Sequence, residues 1–178
     1  HSFPTRRSSD LKFMKLTYFN SEIKDLIDYS SSTFKMDNLD GTTKIQGLEL
    51  EYKDEVLSDL FITANYTYLD AKDDEDKTLQ KRAKNSANLA LDYYATEKLH
   101  IGLDAQYIGE RVEYDYGTYN IKAQTGKYTI ANLVANYKID KKFNTYLKVD
   151  NITDKYYQVV DGYASADRSF YAGLNMRY

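Results

Sequence analysis

The last ten residues, S-F-Y-A-G-L-N-M-R-Y (169–178), alternate between apolar and polar side chains. Successive side chains of a β-strand point to opposite faces, so such a strand is apolar on one side and largely polar on the other. The apolar face carries Phe170, Ala172, Leu174, Met176 and Tyr178, and the opposite face carries Ser169, Tyr171, Gly173, Asn175 and Arg177. The stretch therefore predicts a strand between an apolar and a polar environment that ends on an aromatic residue.

Similar alternation recurs in seven earlier segments, so we predict eight strands: 12–27, 44–53, 60–70, 82–94, 99–108, 128–139, 143–152 and 169–178. The pattern is clearest in 99–108, where every odd position is apolar. In the first strand we assign one face to Phe13, Thr17, Phe19 and Ile23. The opposite face is assigned to Tyr18, Asn20, Glu22 and Lys24. In the second strand we assign Ile45 and Gly47 to the same face as the outward-pointing residues of L-E-L-E-Y (48–52).

The connections between these segments alternate in length. They are long after the first, third, fifth and seventh strands and short after the others, as in up-and-down outer-membrane barrels with external loops and periplasmic turns. Tyrosines, which suit a membrane interface, cluster near the strand ends at positions 66, 68, 93, 94, 107, 137 and 178. We predict an all-β, antiparallel up-and-down transmembrane β-barrel; the alternative is a soluble β-sandwich whose core uses the same faces.

The composition of the 178-residue chain narrows the possible functions. A net charge of −3 gives no indication of a nucleic-acid partner. The chain has no cysteine and only two histidines, His1 and His100, which argues against disulfides, thiolate metal sites and nearly all histidine-dependent catalysis. We therefore expect no enzymatic activity, no cofactor and no metal.

The first eleven residues, H-S-F-P-T-R-R-S-S-D-L, differ in character from the rest. They contain no apolar core like that of a signal peptide, and they resemble the translation of a sequencing-library adapter. We expect residues 1–11 to be a non-native scar and residues 12–178 to be native barrel. A natural disordered amino terminus is the alternative.

The ending Gly173, Met176 and Tyr178 resembles the closing strand of bacterial outer-membrane barrels, Gly-x-x-hydrophobic-x-aromatic. The resemblance implies that the barrel assembly machinery recognises this ending. Almost all of residues 12–178 also resembles the carboxy-terminal third of a TonB-dependent receptor, a plugged barrel of 22 strands. The matching pieces are Y-F-N-S-E-I-K-D-L-I (18–27), I-Q-G-L-E-L-E (45–51), N-Y-T-Y-L-D-A-K (65–72), L-Q-K-R-A-K (79–84), V-D-N-I-T-D-K-Y-Y (149–157) and D-G-Y-A-S-A-D-R-S-F (161–170).

Within that family the chain is most similar to the vitamin B12 receptors, through R-A-K (82–84), Q-Y-I-G-E-R-V-E-Y-D-Y-G (106–117) and G-Y-A-S-A-D-R (162–168). The resemblance implies corrinoid contacts at Lys81 and Tyr116. Lysine replaces the family's usual arginine at position 81, and the two are different hydrogen-bonding partners. The candidate substrate-binding residues are Lys81, Arg82, Arg111, Tyr114 and Tyr116.

Several other polar residues have two possible roles. The acidic run Asp70, Asp73, Asp74, Glu75 and Asp76 suits a solvated loop or, alternatively, a cation site. The set Arg111, Tyr114, Tyr116 and Tyr119 suits a ligand surface or an ordinary packed loop. We expect Arg168 to form an ion pair that anchors its loop, and Asn151 and Asp154 to shape the bend after the seventh strand. We assign no chemistry to His100.

The resemblance implies import across the outer membrane of a Gram-negative bacterium. The expected partners are outer-membrane lipid, the barrel assembly machinery, a bulky small-molecule chelate and, through an amino-terminal plug, the TonB complex. Cobalamin is the expected chelate. The alternatives are a ferric siderophore or haem receptor, a complete eight-stranded structural or adhesive barrel, and a lectin-like soluble binder.

Overall fold

The computed structural model describes residues 12–30, 35–38, 41–114 and 121–177. Every helix or strand in these ranges is a β-strand, fourteen in all: β1 Phe13–Lys24, β2 Ile27–Ser30, β3 Lys35–Asn38, β4 Thr42–Leu57, β5 Leu60–Lys72, β6 Asn85–Tyr94, β7 Leu99–Ile108, β8 Arg111–Tyr114, β9 Ile121–Thr125, β10 Tyr128–Lys138, β11 Phe143–Asp150, β12 Gln158–Val160, β13 Tyr163–Ala164 and β14 Ser169–Met176. Eight of them form one antiparallel sheet in the order β1-β4-β5-β6-β7-β10-β11-β14. These are the eight predicted strands, with ends shifted by a few residues.

Three of the four long connections contain small hairpins that the sequence pattern did not reveal. The pairs β2–β3, β8–β9 and β12–β13 each form a two-stranded sheet of their own. Their strands are two to five residues long. Such short strands contain too few alternations for a period-two pattern to be distinguished from an irregular loop.

The main sheet has one apolar and one polar face, as predicted. A row of paired apolar residues crosses five strands in the order Leu91, Leu103, Leu133, Val149, Phe170. On the opposite face, side-chain amides connect neighbouring strands. The bonded pairs are Asn88 Nδ2 to Asn65 Oδ1 at 2.8 Å, Gln106 Nε2 to Asn88 Oδ1 at 3.2 Å, and Asn132 Nδ2 to Asp104 Oδ2 at 2.8 Å.

The apolar face is not covered by other described parts of the chain. Phe170 is 72% exposed and Leu147 is 62% exposed. A soluble sandwich would bury these side chains against a second sheet. The sandwich alternative is therefore wrong, and the central strands have the 9–11 residues or so that a tilted membrane-crossing strand needs.

The sheet has two edges, β1 and β14. Within the described ranges these strands do not pair with each other, which a complete eight-stranded barrel would require. The alternative of a complete small barrel is therefore not supported. The described residues also contain no helix with the length and apolarity needed to cross a membrane.

The first two long strands correct one part of the prediction. The register pairs Leu16 with Leu50 and Phe19 with Gly47, so the apolar face of β1 carries the even positions rather than the odd ones. Phe19 instead lies on the polar face, and its ring occupies the space above Gly47. If residue 47 carried a Cβ atom, that atom would lie 2.6 Å from the Phe19 ring. The predicted grouping of Ile45 and Gly47 with the outward residues of β4 is wrong for the same reason. Both faces of β1 contain large apolar side chains, so alternation alone could not assign them.

The closing strand packs closely against β11. Gly173 is paired with Tyr146, and a Cβ on this glycine would overlap the Tyr146 ring. Met176 is paired with Phe143 and is more than half exposed on the apolar face. Gly173 therefore has a packing role of its own. Recognition of the ending by the assembly machinery stays a prediction, and Tyr178 lies outside the described residues.

Candidate ligand-binding site

The long connections all leave the sheet at one end. Residues 73–84, 109–127 and 151–168 connect strands there, whereas the short connections 58–59, 95–98 and 139–142 lie at the other end. On the predicted orientation the first end is external. The external connections are therefore the part of the chain that can meet a ligand arriving from outside.

Strand β8 connects two of these external segments through backbone hydrogen bonds. The Lys81 N–H donates to the Val112 carbonyl at 2.9 Å, and the Lys84 N–H donates to the Glu110 carbonyl at 3.4 Å. On the other side of the segment, the Leu69 N–H donates to the Lys84 carbonyl at 2.9 Å. The segment 78–84 thus lies between β5 and β8 and extends the sheet above β6.

Arg111 lies at the inner rim of this end. Its guanidinium is 6.0 Å from the centroid of the Tyr128 ring, and its Nη2 donates to the Gln158 carbonyl at 3.3 Å. Tyr128 belongs to the polar, inward-facing positions of β10 and is buried beneath Tyr157, with ring centroids 4.6 Å apart. Arg111 Nε is also buried and has no hydrogen-bond partner among the described residues.

Glu113 forms the second connection between β8 and the last external loop. Its carboxylate is buried and accepts the Asp161 backbone N–H at 3.2 Å. Alternate positions of β8, Arg111 and Glu113, therefore both hold the loop that contains β12 and β13. The three external segments form one connected cluster around β8.

The start of the last loop is fixed by local hydrogen bonds, as predicted. Asn151 has a positive φ of 52° and is buried; its side chain accepts the Lys155 N–H at 2.9 Å and donates to the Lys155 carbonyl at 3.0 Å. Asp154 accepts the Arg168 N–H at 2.9 Å and forms an ion pair with its guanidinium at 3.4 Å. The predicted bend and the predicted loop-anchoring ion pair are both confirmed.

Of the five predicted ligand residues, the structure describes the side chains of Lys81, Arg82 and Arg111. Lys81 is exposed on a turn with a φ of 60°, and Arg82 lines a pocket next to Val112 and Glu110. Of these three, Arg111 lies in the inner cluster. The Tyr114 backbone pairs with Ile121 at the end of β8, and nothing is described of its side chain. Tyr116 lies outside the described residues, as does Tyr119.

The acidic run forms a turn stabilised by its own residues. The Asp73 carboxylate accepts the N–H groups of Glu75 and Lys77 at 3.0 and 2.8 Å. The Lys77 ammonium, 2.6 Å from the Glu75 carboxylate, lowers the pKa of that carboxyl. Within the described residues, no group of three or more acidic or imidazole side chains is placed to hold a metal ion.

One inward-facing cluster was missed from the sequence. His100 is buried near the periplasmic end, with Nε2 2.7 Å from Asp92 Oδ1 and Nδ1 3.2 Å from Asn136 Nδ2. The Tyr94 ring lies 4.8 Å from the imidazole. The register pairs His100 with Tyr94 and with Asn136, so aligning the polar positions of the neighbouring strands would have found the cluster.

The chain matches the model of a known protein family over residues 6–152, described as TonB dependent receptor-like, beta-barrel. The chain belongs to this family. It is therefore part of a TonB-dependent receptor β-barrel of the Gram-negative outer membrane, and its strands face lipid on the apolar side.

The chain is similar to receptors that are named for different ligands. The chain is 28% identical to the vitamin B12 transporter BtuB of Vibrio cholerae over 92% of its own length, which is 26% of that protein. Its fold is similar to the ferric enterobactin receptor PfeA of Pseudomonas aeruginosa, with a TM-score of 0.77, 23% identity, and coverage of 95% of this chain and 29% of that one. The ferripyoverdine receptor of the same organism gives a TM-score of 0.75 at 20% identity, covering 92% and 24%.

Proposed function

We propose that this chain forms the carboxy-terminal part of a TonB-dependent importer of cobalamin. In the complete receptor, the external loops capture the corrinoid, and an amino-terminal plug, acted on by the TonB complex, controls its passage through the barrel. The observation that carries the proposal is the 28% identity to vitamin B12 transporters over 92% of this chain.

The geometry of the inner rim supports ligand capture there. Arg111 and the half-buried Tyr157 ring both lie against the buried Tyr128 ring, so the rim combines a cation with one partly exposed aromatic face. A large ligand with a conjugated ring system and amide groups can stack on the Tyr157 ring and interact with the nearby guanidinium. The family resemblance implies further corrinoid contacts at Lys81 and Tyr116.

Direct binding to the complete receptor tests the proposal. We expect saturable binding of cyanocobalamin that a ferric catecholate siderophore does not displace. Lys81→Ala should weaken cobalamin binding about tenfold or more, because a charged hydrogen-bond donor is lost. The matched control is Lys142→Ala, in a periplasmic turn, which should leave the affinity unchanged. Binding of the ferric siderophore without binding of cobalamin would show that the substrate is an iron chelate.

A further inference from the structure

The outward face of β5 carries two different surfaces, one above the other. Its even positions share the face of the apolar row, so Ala64, Tyr66 and Tyr68 face lipid, and Asp70 and Lys72 continue the same face beyond the membrane. An apolar groove adjoins the lower part of this column, and a cationic pocket adjoins the upper part.

The groove is a depression of about 330 Å³ in the lipid-facing surface. Its floor includes Ala87, which the register places between Tyr66 and Tyr107 on the two neighbouring strands. The two tyrosines form the walls, and the Tyr66 hydroxyl is fixed by donating to Asn85 Oδ1 at 2.7 Å. The groove is about twice the size of the roughly 150 Å³ cavity that binds benzene in an engineered protein core.

The pocket above has a volume of about 240 Å³ and is lined by residues that include Asp70, Lys72, Arg82, Lys84 and Glu110. The Lys84 ammonium lies 5.6 Å from the centroid of the Tyr68 ring, which places this charge directly above the tyrosines of the membrane interface.

The charges of the pocket are not balanced internally. Glu110 is paired with Lys127 at 2.7 Å, whereas Asp70 accepts a hydrogen bond from the neutral Gln46 amide at 3.4 Å and keeps its negative charge. The lining cations Lys72, Arg82 and Lys84 exceed the lining carboxylates Asp70 and Glu110 by one. Within the described part of the chain, no carboxylate lies within ion-pair distance of Arg82 or Lys84; Arg82 donates only to the Gln80 carbonyl, at 3.2 Å. Two cations are therefore available to an anion at the level of the lipid headgroups.

The spacing of the two surfaces fits one amphipathic molecule. Tyr66 lines the groove and Asp70 lines the pocket, four residue steps apart, or about 13 Å along the strand. With the roughly 45° tilt of barrel strands, this corresponds to about 9 Å of membrane depth. We propose that these surfaces form one binding site for a phosphate-bearing lipid of the outer leaflet, with its phosphate at Arg82 and Lys84 and one acyl chain in the groove beside Ala87.

The chemistry of the two parts identifies this class of ligand. A guanidinium and an ammonium are the usual protein partners of phosphate. The groove is continuous with the lipid-facing surface, so an acyl chain can enter it without leaving the bilayer. The site lies outside the barrel and is distinct from the inner rim, so it is independent of the proposed transport of cobalamin.

The test uses the complete receptor in detergent and three probes: diphosphoryl lipid A, the same lipid without phosphates, and inorganic phosphate. We expect the phosphorylated lipid to bind at least about tenfold more tightly than the dephosphorylated one, and inorganic phosphate to show no measurable binding. The double variant Arg82→Gln/Lys84→Gln should lose this preference. Ala87→Leu, which fills the groove, should weaken binding of both lipids severalfold.

The matched control is Lys142→Gln at the periplasmic end, which should bind lipid like the wild type. Heat-modifiable migration on a gel checks that every variant is folded. Equal affinity for the phosphorylated and dephosphorylated lipids would overturn the proposal, since it indicates non-specific lipid contact. Binding of inorganic phosphate as tight as that of the lipid would overturn it as well, because the groove would then contribute nothing. Unchanged binding in the double variant would also refute the assignment.

Discussion

A charged residue in the middle of the apolar row gives the sharpest test of which face meets lipid. Leu103 lies on β7 between Leu91 and Leu133. It is four residue steps from Leu99 at the periplasmic end, which corresponds to about 9 Å of depth for a strand tilted by roughly 45°. The ten residues of β7 span about 21 Å in the same way, so Leu103 lies close to the bilayer midplane.

We expect Leu103→Arg to destabilise the complete barrel by about 2–4 kcal/mol, the cost of a cation on the lipid face at the midplane. This corresponds to a roughly 30- to 700-fold change in the unfolding equilibrium. Leu99→Arg, on the same face near the interface, should cost only about 0–1 kcal/mol. Gln106→Arg, on the inward face of the same strand, should cost about as much as the single hydrogen bond to Asn88 that it removes, about 1 kcal/mol.

The measurement is the midpoint of guanidinium unfolding of each variant in lipid vesicles, followed by the electrophoretic difference between folded and unfolded barrel. Leu103→Arg should lower the free energy of unfolding much more than Leu99→Arg or Gln106→Arg. Equal costs for Leu103→Arg and Gln106→Arg would mean that the two faces meet similar environments, and the assignment of the lipid face would be refuted.

Three further predictions follow from the local geometry. Gly173→Val should destabilise the barrel by about 1–3 kcal/mol through overlap with the Tyr146 ring, and adding Tyr146→Ala should recover much of this loss in the same unfolding assay; no recovery would contradict the contact. Asn151→Ala should speed proteolysis of residues 151–168 severalfold, because it removes both side-chain bonds to Lys155, whereas Asn144→Ala should not; equal cleavage rates would contradict this. The N–H groups of Lys142 and Phe143 lower the pKa of Asp140, so its stabilisation of the turn is present above the ordinary aspartate pKa and lost as the pH falls through the lowered value. Amide exchange at Phe143 should show this loss in the wild type and not in Asp140→Asn.

The fold could be predicted because one physical pattern repeats in every long strand. Period-two alternation and the alternating loop lengths located all eight strands of the sheet and their order. The exception is β1, where Phe19 fills the space above Gly47 on the inward face. The space above a glycine is visible only once the glycine-containing strand is paired with its neighbour. Which face of β1 points inward therefore depends on the pairing register rather than on the sequence of β1 alone. The short hairpins in the loops escaped prediction because their pairing is local.

The ligand residues show the limit of reasoning from position in the sequence. Arg82 and Arg111 are both external cations, and both have the same predicted role as candidate substrate-binding residues. In the structure the backbone of segment 78–84 forms hydrogen bonds with β8 and the residue before it. Successive side chains of β8 therefore point alternately to the outward and the inward side of the sheet. Glu110 and Val112 line the outward pocket with Arg82, whereas Arg111 and Glu113 contact the last external loop on the inner side. Because β7 ends at Ile108 and β8 begins only at Arg111, the parity of β7 does not fix the parity of β8. The two arginines thus lie on the outward and the inward side of the sheet respectively, and only the register of a four-residue strand distinguishes them.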